Sequence, residues 1–226
     1  MRTIAKYFII ALVVGVLVTD GAILHAQSQL GQVFITWKTS NFYPAYFEGK
    51  ALPSLNSPVT VAVEVTKNGA LLDLSQAEIT WELDGKFIGG GRGVKQIPFA
   101  AAKGVGDTHF VRVSVVRGQE TFETSLRIPI VGPTVSIDAP YPENRGEEGT
   151  ITLRALPFFF NVSSLTDLSF SWIVNGVRRE TGSDNALVIS SEDLTAPQTF
   201  RVTLETLNRS GPRETATSRG QFTLVP

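Results

Sequence analysis

The sequence predicts an all-β protein: two tandem β-sandwich domains behind an N-terminal signal helix. Three observations predict it. Strict period-2 alternation runs through Val59, Val61, Val63 and Val65, which is the pattern of a strand with one buried face. A tryptophan strand, Trp81-Glu82-Leu83-Asp84-Gly85, returns 91 residues later as Trp172-Ile173-Val174-Asn175-Gly176. Each copy ends in Asp-Gly or Asn-Gly, the dipeptides that tolerate the positive φ of a two-residue hairpin turn.

Composition agrees with this class and narrows the chemistry. The chain has 226 residues, enough for two small domains. Its formal net charge of −1 gives no electrostatic case for nucleic acid or an anionic membrane surface. It contains no cysteine, so disulfides, thiol chemistry and cysteine metal sites are excluded. An exported protein without disulfides is held by its cores alone, a habit more typical of bacterial than of animal secreted modules.

Residues 1–26 read as a targeting segment. Arg2 and Lys6 give a positive start, Tyr7 to Val18 form an apolar run, and Leu24-His25-Ala26 precedes polar Gln27. This is the shape of a signal peptide ending at Ala26. Leu24 is larger than the residue preferred before a cleavage site, so an uncleaved N-terminal anchor is the alternative. Membrane contact is then expected only through residues 7–26. The run is short for a spanning helix.

The first domain is expected over residues 30–132. Val33, Ile35 and Trp37 alternate as a first strand. An aromatic loop follows, Phe42-Tyr43-Pro44-Ala45-Tyr46-Phe47, and then the valine strand. Leu74 to Ala77 reads as a helical turn before Ile79, Trp81 and Leu83. Gly89 to Gly93 reads as a mobile loop, and Val94 to Phe99 as a strand. His109, Val111, Val113 and Val115 line the next strand. Phe122, Leu126, Ile128 and Ile130 line the last. Short strands at this spacing imply a sandwich.

The second domain, residues 133–226, repeats the plan after Gly132-Pro133, where proline blocks strand continuation. The hinge is short enough to predict a stiff pair. The offset of 91 carries Ile79, Trp81 and Leu83 onto Phe170, Trp172 and Val174. It also carries His109, Val111 and Val113 onto Phe200, Val202 and Leu204. The last strand matches at 94, the extra residues falling near Asn208 to Pro212. Ser163 to Asp167 matches the helical turn. An offset that holds across separate strands marks a duplication.

The tryptophan strand, its tight turn, and Thr108 to Val115 together resemble the PKD and immunoglobulin-like modules of bacterial exported or cell-surface proteins. PKD modules carry Trp-Asp-Phe-Gly-Asp-Gly where this chain has Trp-Glu-Leu-Asp-Gly. The resemblance implies two immunoglobulin/PKD-like sandwiches, an extracytoplasmic location, and a role in adhesion, spacing or assembly rather than catalysis.

Chemistry is sparse. Outside the leader the only histidine is His109, on an inner strand face, and it reads as a core residue. One histidine builds neither an imidazole metal site nor a Ser-His-Asp site without its nucleophile elbow. Asp84, Glu147-Glu148 and Glu192-Asp193 lack the dense spacing of a calcium loop. The glycine run lacks the Lys-Ser/Thr ending of a phosphate loop. No catalytic residue, metal or cofactor is expected. Asn161-Val162-Ser163 and Asn208-Arg209-Ser210 fit the glycosylation sequon, which matters only on a eukaryotic secretory route.

The candidate binding residues are Tyr43, Tyr46, Phe47 and Phe159. Alternation cannot bury all of Phe158-Phe159-Phe160 on one side of a strand, so packing in a bulge or loop competes with facing a partner. The aromatic loop either caps its own sandwich or presents rings to a cell-surface protein or glycan. The expected function is a non-enzymatic structural, adhesive or interaction scaffold. The alternatives are a carbohydrate-binding module and a membrane-anchored subunit of a surface assembly.

Overall fold

A computed structural model describes residues 31–146, 150–182, 184–190, 196–210 and 214–225. The leader, Glu147-Glu148, Glu192-Asp193 and Gly211-Pro212 lie outside the described residues. Compactness divides the chain into two units. Among the described residues, one comprises 31–36, 61–97 and 110–126, and the other 37–60, 98–109 and those from 127 onward. The boundary expected at Gly132-Pro133 rests on sequence repetition, whereas these units rest on proximity.

The chain is all-β, with immunoglobulin-like sandwiches in tandem. The first eight strands are β1 (Gln32–Thr39), β2 (Pro58–Lys67), β3 (Ala70–Leu71), β4 (Glu78–Leu83), β5 (Lys86–Arg92), β6 (Gln96–Ala100), β7 (Thr108–Arg117) and β8 (Glu120–Pro129). They form two sheets. One is ordered β1-β2-β3, with β6 also on β2, and the other is β5-β4-β7-β8. The core of the first unit comes from one face of each: Val61, Val63 and Val65, then Ile79, Trp81, Val111, Val113 and Val115, all at 0% exposure. Period-2 alternation produces this, since every second side chain points the same way. Fully burying each aliphatic side chain contributes about 2 kcal/mol.

The glycine run departs from expectation. Gly89 to Gly91 are not a mobile loop but the body of β5, paired along β4 from Glu78 to Leu83. The register shifts between Trp81 and Glu82, and Gly89 and Gly91 sit at φ 156 and 131. A Cβ on Gly90 would lie 2.2 Å from the Ile79 carbonyl oxygen. The glycines are therefore required by a bulged strand that closely approaches its neighbour's backbone. The strand expected from Val94 begins at Gln96, after a turn at Gly93.

The second unit contains β9 (Thr134–Asp138), β10 (Arg145–Gly146), β11 (Thr150–Phe158), β12 (Leu168–Val174), β13 (Val177–Gly182), β14 (Ala186–Ser190), β15 (Gln198–Asn208) and β16 (Thr215–Leu224). Its sheets are β14-β11-β9 and β10-β16-β15-β12-β13. The core gathers Ile151, Leu153, Phe160, Leu168, Trp172 and Leu204 with their neighbours. The helical turn expected near Ser163 is a 3-10 turn at Leu165–Asp167, closed by a reciprocal Ser164–Asp167 capping box.

The duplication is visible in the pairing. The order β5-β4-β7-β8 recurs as β13-β12-β15-β16. Both hairpin turns have two residues at positive φ: Asp84 and Gly85 at 51 and 77, Asn175 and Gly176 at 50 and 84. Both turn side chains also accept one backbone N–H from the sheet neighbour on the other side, β7 in one copy and β15 in the other. Phe110 N donates to Asp84 Oδ1 at 3.0 Å, and Arg201 N to Asn175 Oδ1 at 2.9 Å. The pairs are related by the offset of 91.

Candidate functional site

The aromatic loop belongs to the second unit, together with the Phe158–Phe160 segment. The two segments meet as a short antiparallel bridge. Phe42 N donates to Phe160 O at 2.8 Å, and Phe159 N to Phe42 O at 2.7 Å. Phe160 is wholly buried, while Phe158 and Phe159 remain half-buried. Phe159 has φ 63, a left-handed conformation that costs a bulky residue about 1 kcal/mol. This kink resolves the three-phenylalanine problem: one ring goes to the core and two go to the loop.

Phe47 is the hub of those rings. Its centroid lies 5.8 Å from Tyr43, 5.5 Å from Phe158 and 5.8 Å from Phe159, each in edge-to-face geometry. Such pairs prefer this arrangement because the positive ring edge meets the negative face. Phe47 also lies over Gly49, where a Cβ would meet its ring at 2.3 Å. One residue on, Lys50 Nζ stands 3.8 Å from the centroid of the Trp37 ring, and burial lowers its pKa. Tyr43 and Tyr46 face solvent at 41% and 66% exposure. Burial, and then the negative charge of Asp138, raise the Tyr46 pKa above its ordinary value. The structure thus gathers Tyr43, Phe47 and Phe159 into one cluster and leaves Tyr46 as its most exposed neighbour.

Beneath the loop lies a polar network that sequence patterning does not reveal. Asn41 Nδ2 donates to Ser54 Oγ at 3.0 Å and to Phe159 O at 2.8 Å. Ser54 N donates to Ser57 Oγ at 2.9 Å, and the two hydroxyls lie 3.0 Å apart. Ser54 Oγ donates to Glu214 Oε1. The other carboxylate oxygen accepts from Asn161 N at 2.8 Å and Asn208 Nδ2 at 3.0 Å. Asn41, Ser54, Ser57, Asn208 and Glu214 are all buried. One assignment satisfies the set: Ser57 gives its proton to Ser54, and Ser54 gives its proton to Glu214. Three neutral donors then hold the buried carboxylate.

Asn161 and Asn208 stood out in sequence as sequon residues, and the burial of Asn208 with its amide committed to Glu214 removes it as a glycan acceptor. The bonded pair Ser54 and Glu214 alone is separated by 160 positions, so no local period could join the other members.

His109 is 2% exposed. Its Nε2 accepts from Ala102 N at 3.1 Å, and its ring meets Phe99 edge-on at 5.6 Å. These contacts use it as a core residue. Among the described residues no group of three or more His, Cys, Asp or Glu could hold a metal.

No protein-family model and no curated sequence matches the chain. Solved structures with similar folds include fibronectin(III)-like modules of Clostridium thermocellum CbhA, at 9% identity, covering 86% of this chain and 93% of that one, TM-score 0.32. Three N-terminal domains of the outer capsid protein Hoc of bacteriophage RB49 share 11% identity, covering 86% and 70%, TM-score 0.33. The FN1-FN3 domains of chicken CNTN1 share 11% identity, covering 78% and 64%, TM-score 0.35. At these scores the likenesses carry no argument about function.

Proposed function

We propose that the chain is an exported, extracytoplasmic and non-enzymatic interaction scaffold, built of two PKD/immunoglobulin-like modules over residues 30–132 and 133–226. Its contact surface is the aromatic loop, with Tyr43 and Tyr46 outermost and Phe47 and Phe159 as their support. One observation carries this reading: two exposed tyrosines stand on a loop locked from below by a fully satisfied buried network. A binding loop on a rigid base loses little freedom when it meets a partner. The partner is a cell-surface protein or glycan. The test is binding to immobilised surface extracts and glycan arrays by wild type and by Tyr43→Ala/Tyr46→Ala. Loss of binding at an unchanged unfolding midpoint is expected; undiminished binding by the double variant overturns the site.

A second reading, a carbohydrate-binding module, is favoured by the exposed ring of Tyr46, which feels the negative charge of Asp138. A phenol ring offers a stacking face for sugar C–H groups, and a carboxylate accepts sugar hydroxyls. Replacing Asp138 by Asn should weaken glycan binding and leave protein binding intact.

A further inference from the structure

The outer faces of the two long sheets carry different chemistry at the same repeat positions. In the first unit, Glu82 on β4 pairs with Phe87 on β5 and Arg112 on β7. Strand alternation places Phe110 on that face, two residues before Arg112. Phe87 is 69% exposed and Phe110 48%. The offset of 91 carries Phe87 onto Arg178 and Phe110 onto Arg201. In the second unit, Ile173 pairs with Arg178 and Thr203, and Thr203 pairs with Arg219. Arg178, Arg201 and Arg219 are all exposed. One face therefore offers two aromatic rings beside the Glu82 carboxylate, with Arg112 on the same face already paired to Glu123. The other offers three guanidinium groups around one isoleucine.

These chemistries fit each other. A guanidinium stacks on an aromatic face and pairs with a carboxylate. Arg178 donates from Nη1 to Ser171 Oγ and from Nη2 to Glu205 at 2.9 Å, bonds made by N–H groups in the guanidinium plane. A groove of about 580 Å³ opens on the same face, lined in part by Ser171, Arg178, Leu207 and Thr217, and it gives a ring somewhere to sit. Two arginine faces repel each other, so pairing of like faces is disfavoured.

We propose that the protein associates with a second copy of itself, the Phe87/Phe110 face of one chain lying against the Arg178/Arg201/Arg219 face of another. The two surfaces differ, so the contact is heterologous and repeats head to tail. It involves none of the aromatic-loop residues and stands or falls separately from the function proposed above.

Sedimentation velocity on purified protein tests this. The wild type should show a mass that rises with concentration and falls with added salt. Phe87→Ser/Phe110→Ser removes one face, and Arg178→Ser/Arg201→Ser removes the other. Each alone should weaken association roughly tenfold or more, the scale of one lost ring–cation contact. Mixed together, the two variants each retain one intact and complementary face, so they should form one-to-one dimers that grow no further. A wild type that stays monomeric, a double variant that associates like wild type, or a mixture that stays monomeric overturns the proposal. If Phe110→Ser disturbs the fold, Phe87→Ser alone and the salt dependence decide it.

Discussion

The two tryptophan strands, β4 and β12, share a turn, a sheet position and a turn-to-strand hydrogen bond, yet their surroundings diverge. Trp81 Nε1 donates to Val94 O at 2.9 Å. The Trp172 Nε1, equally buried, has no hydrogen-bond partner among the described residues. The offset of 94 that aligns the last strands also sets Glu120 against Glu214. Glu120 meets Lys67 at the surface, with its side chain 42% exposed, while Glu214 is buried under three donors. Duplication kept the backbone and the core and freed the polar groups. One copy spent its glutamate on solvent, the other on anchoring a loop.

The widest gap should appear between the two glutamates. Glu214→Ala strands the Ser54, Asn161 and Asn208 donors and should cost about 3 kcal/mol, whereas Glu120→Ala should cost under about 1 kcal/mol, both read from denaturant midpoints. Equal losses would mean that the buried network is not what distinguishes the copies.

Next comes Gly90, where the repeat carries Thr181 in the other copy. Gly90→Ala forces a methyl against the Ile79 carbonyl and should cost about 2 kcal/mol; thermal unfolding would show it, and a neutral result would mean that β5 relaxes freely.

The tryptophans should differ less. Trp81→Phe leaves Val94 O short of its indole donor, while Trp172→Phe removes an orphaned donor. The first should be the more destabilising by about 1 kcal/mol.

The smallest effect is electrostatic. Glu123 accepts from Arg112 at 2.7 Å, and that bond, followed by the arginine's charge, holds its carboxyl below the usual glutamate range. A depressed carboxyl contributes stability above the unfolded pKa and loses it as pH falls through the folded one. Glu123→Gln should therefore lower the melting point slightly at neutral pH and leave it unchanged once the pH has fallen below the folded pKa.

How much of this was legible in the sequence follows the range of the forces involved. The valine alternation, the tryptophan strands and the Asp-Gly and Asn-Gly turns are local patterns, and each appears in the structure where the residues place it. The inward position of His109 follows from its valine neighbours in the same way. Gly89 to Gly91 misled because glycine lowers strand propensity, while the reason for glycine here is the Ile79 backbone on the neighbouring strand. Tyr43, Tyr46, Phe47 and Phe159 were recognisable as unusual aromatics. Their support was not, because Asn41, Ser54 and Glu214 look like ordinary surface residues until the fold brings them together.

The bond from Ser54 to Glu214 spans 160 positions of the chain, and this orders events in time. Residues 41–57 emerge from synthesis well before the carboxylate that fixes them. Closing so long a loop is slow compared with forming the adjacent hairpins. The aromatic loop should therefore be the last part of the molecule to set. In refolding followed by pulsed hydrogen exchange, the Asn161 amide, bonded to that carboxylate, should gain protection after the amides of β4 and β12. Until then, a newly made chain would carry its aromatic rings on an unlatched segment.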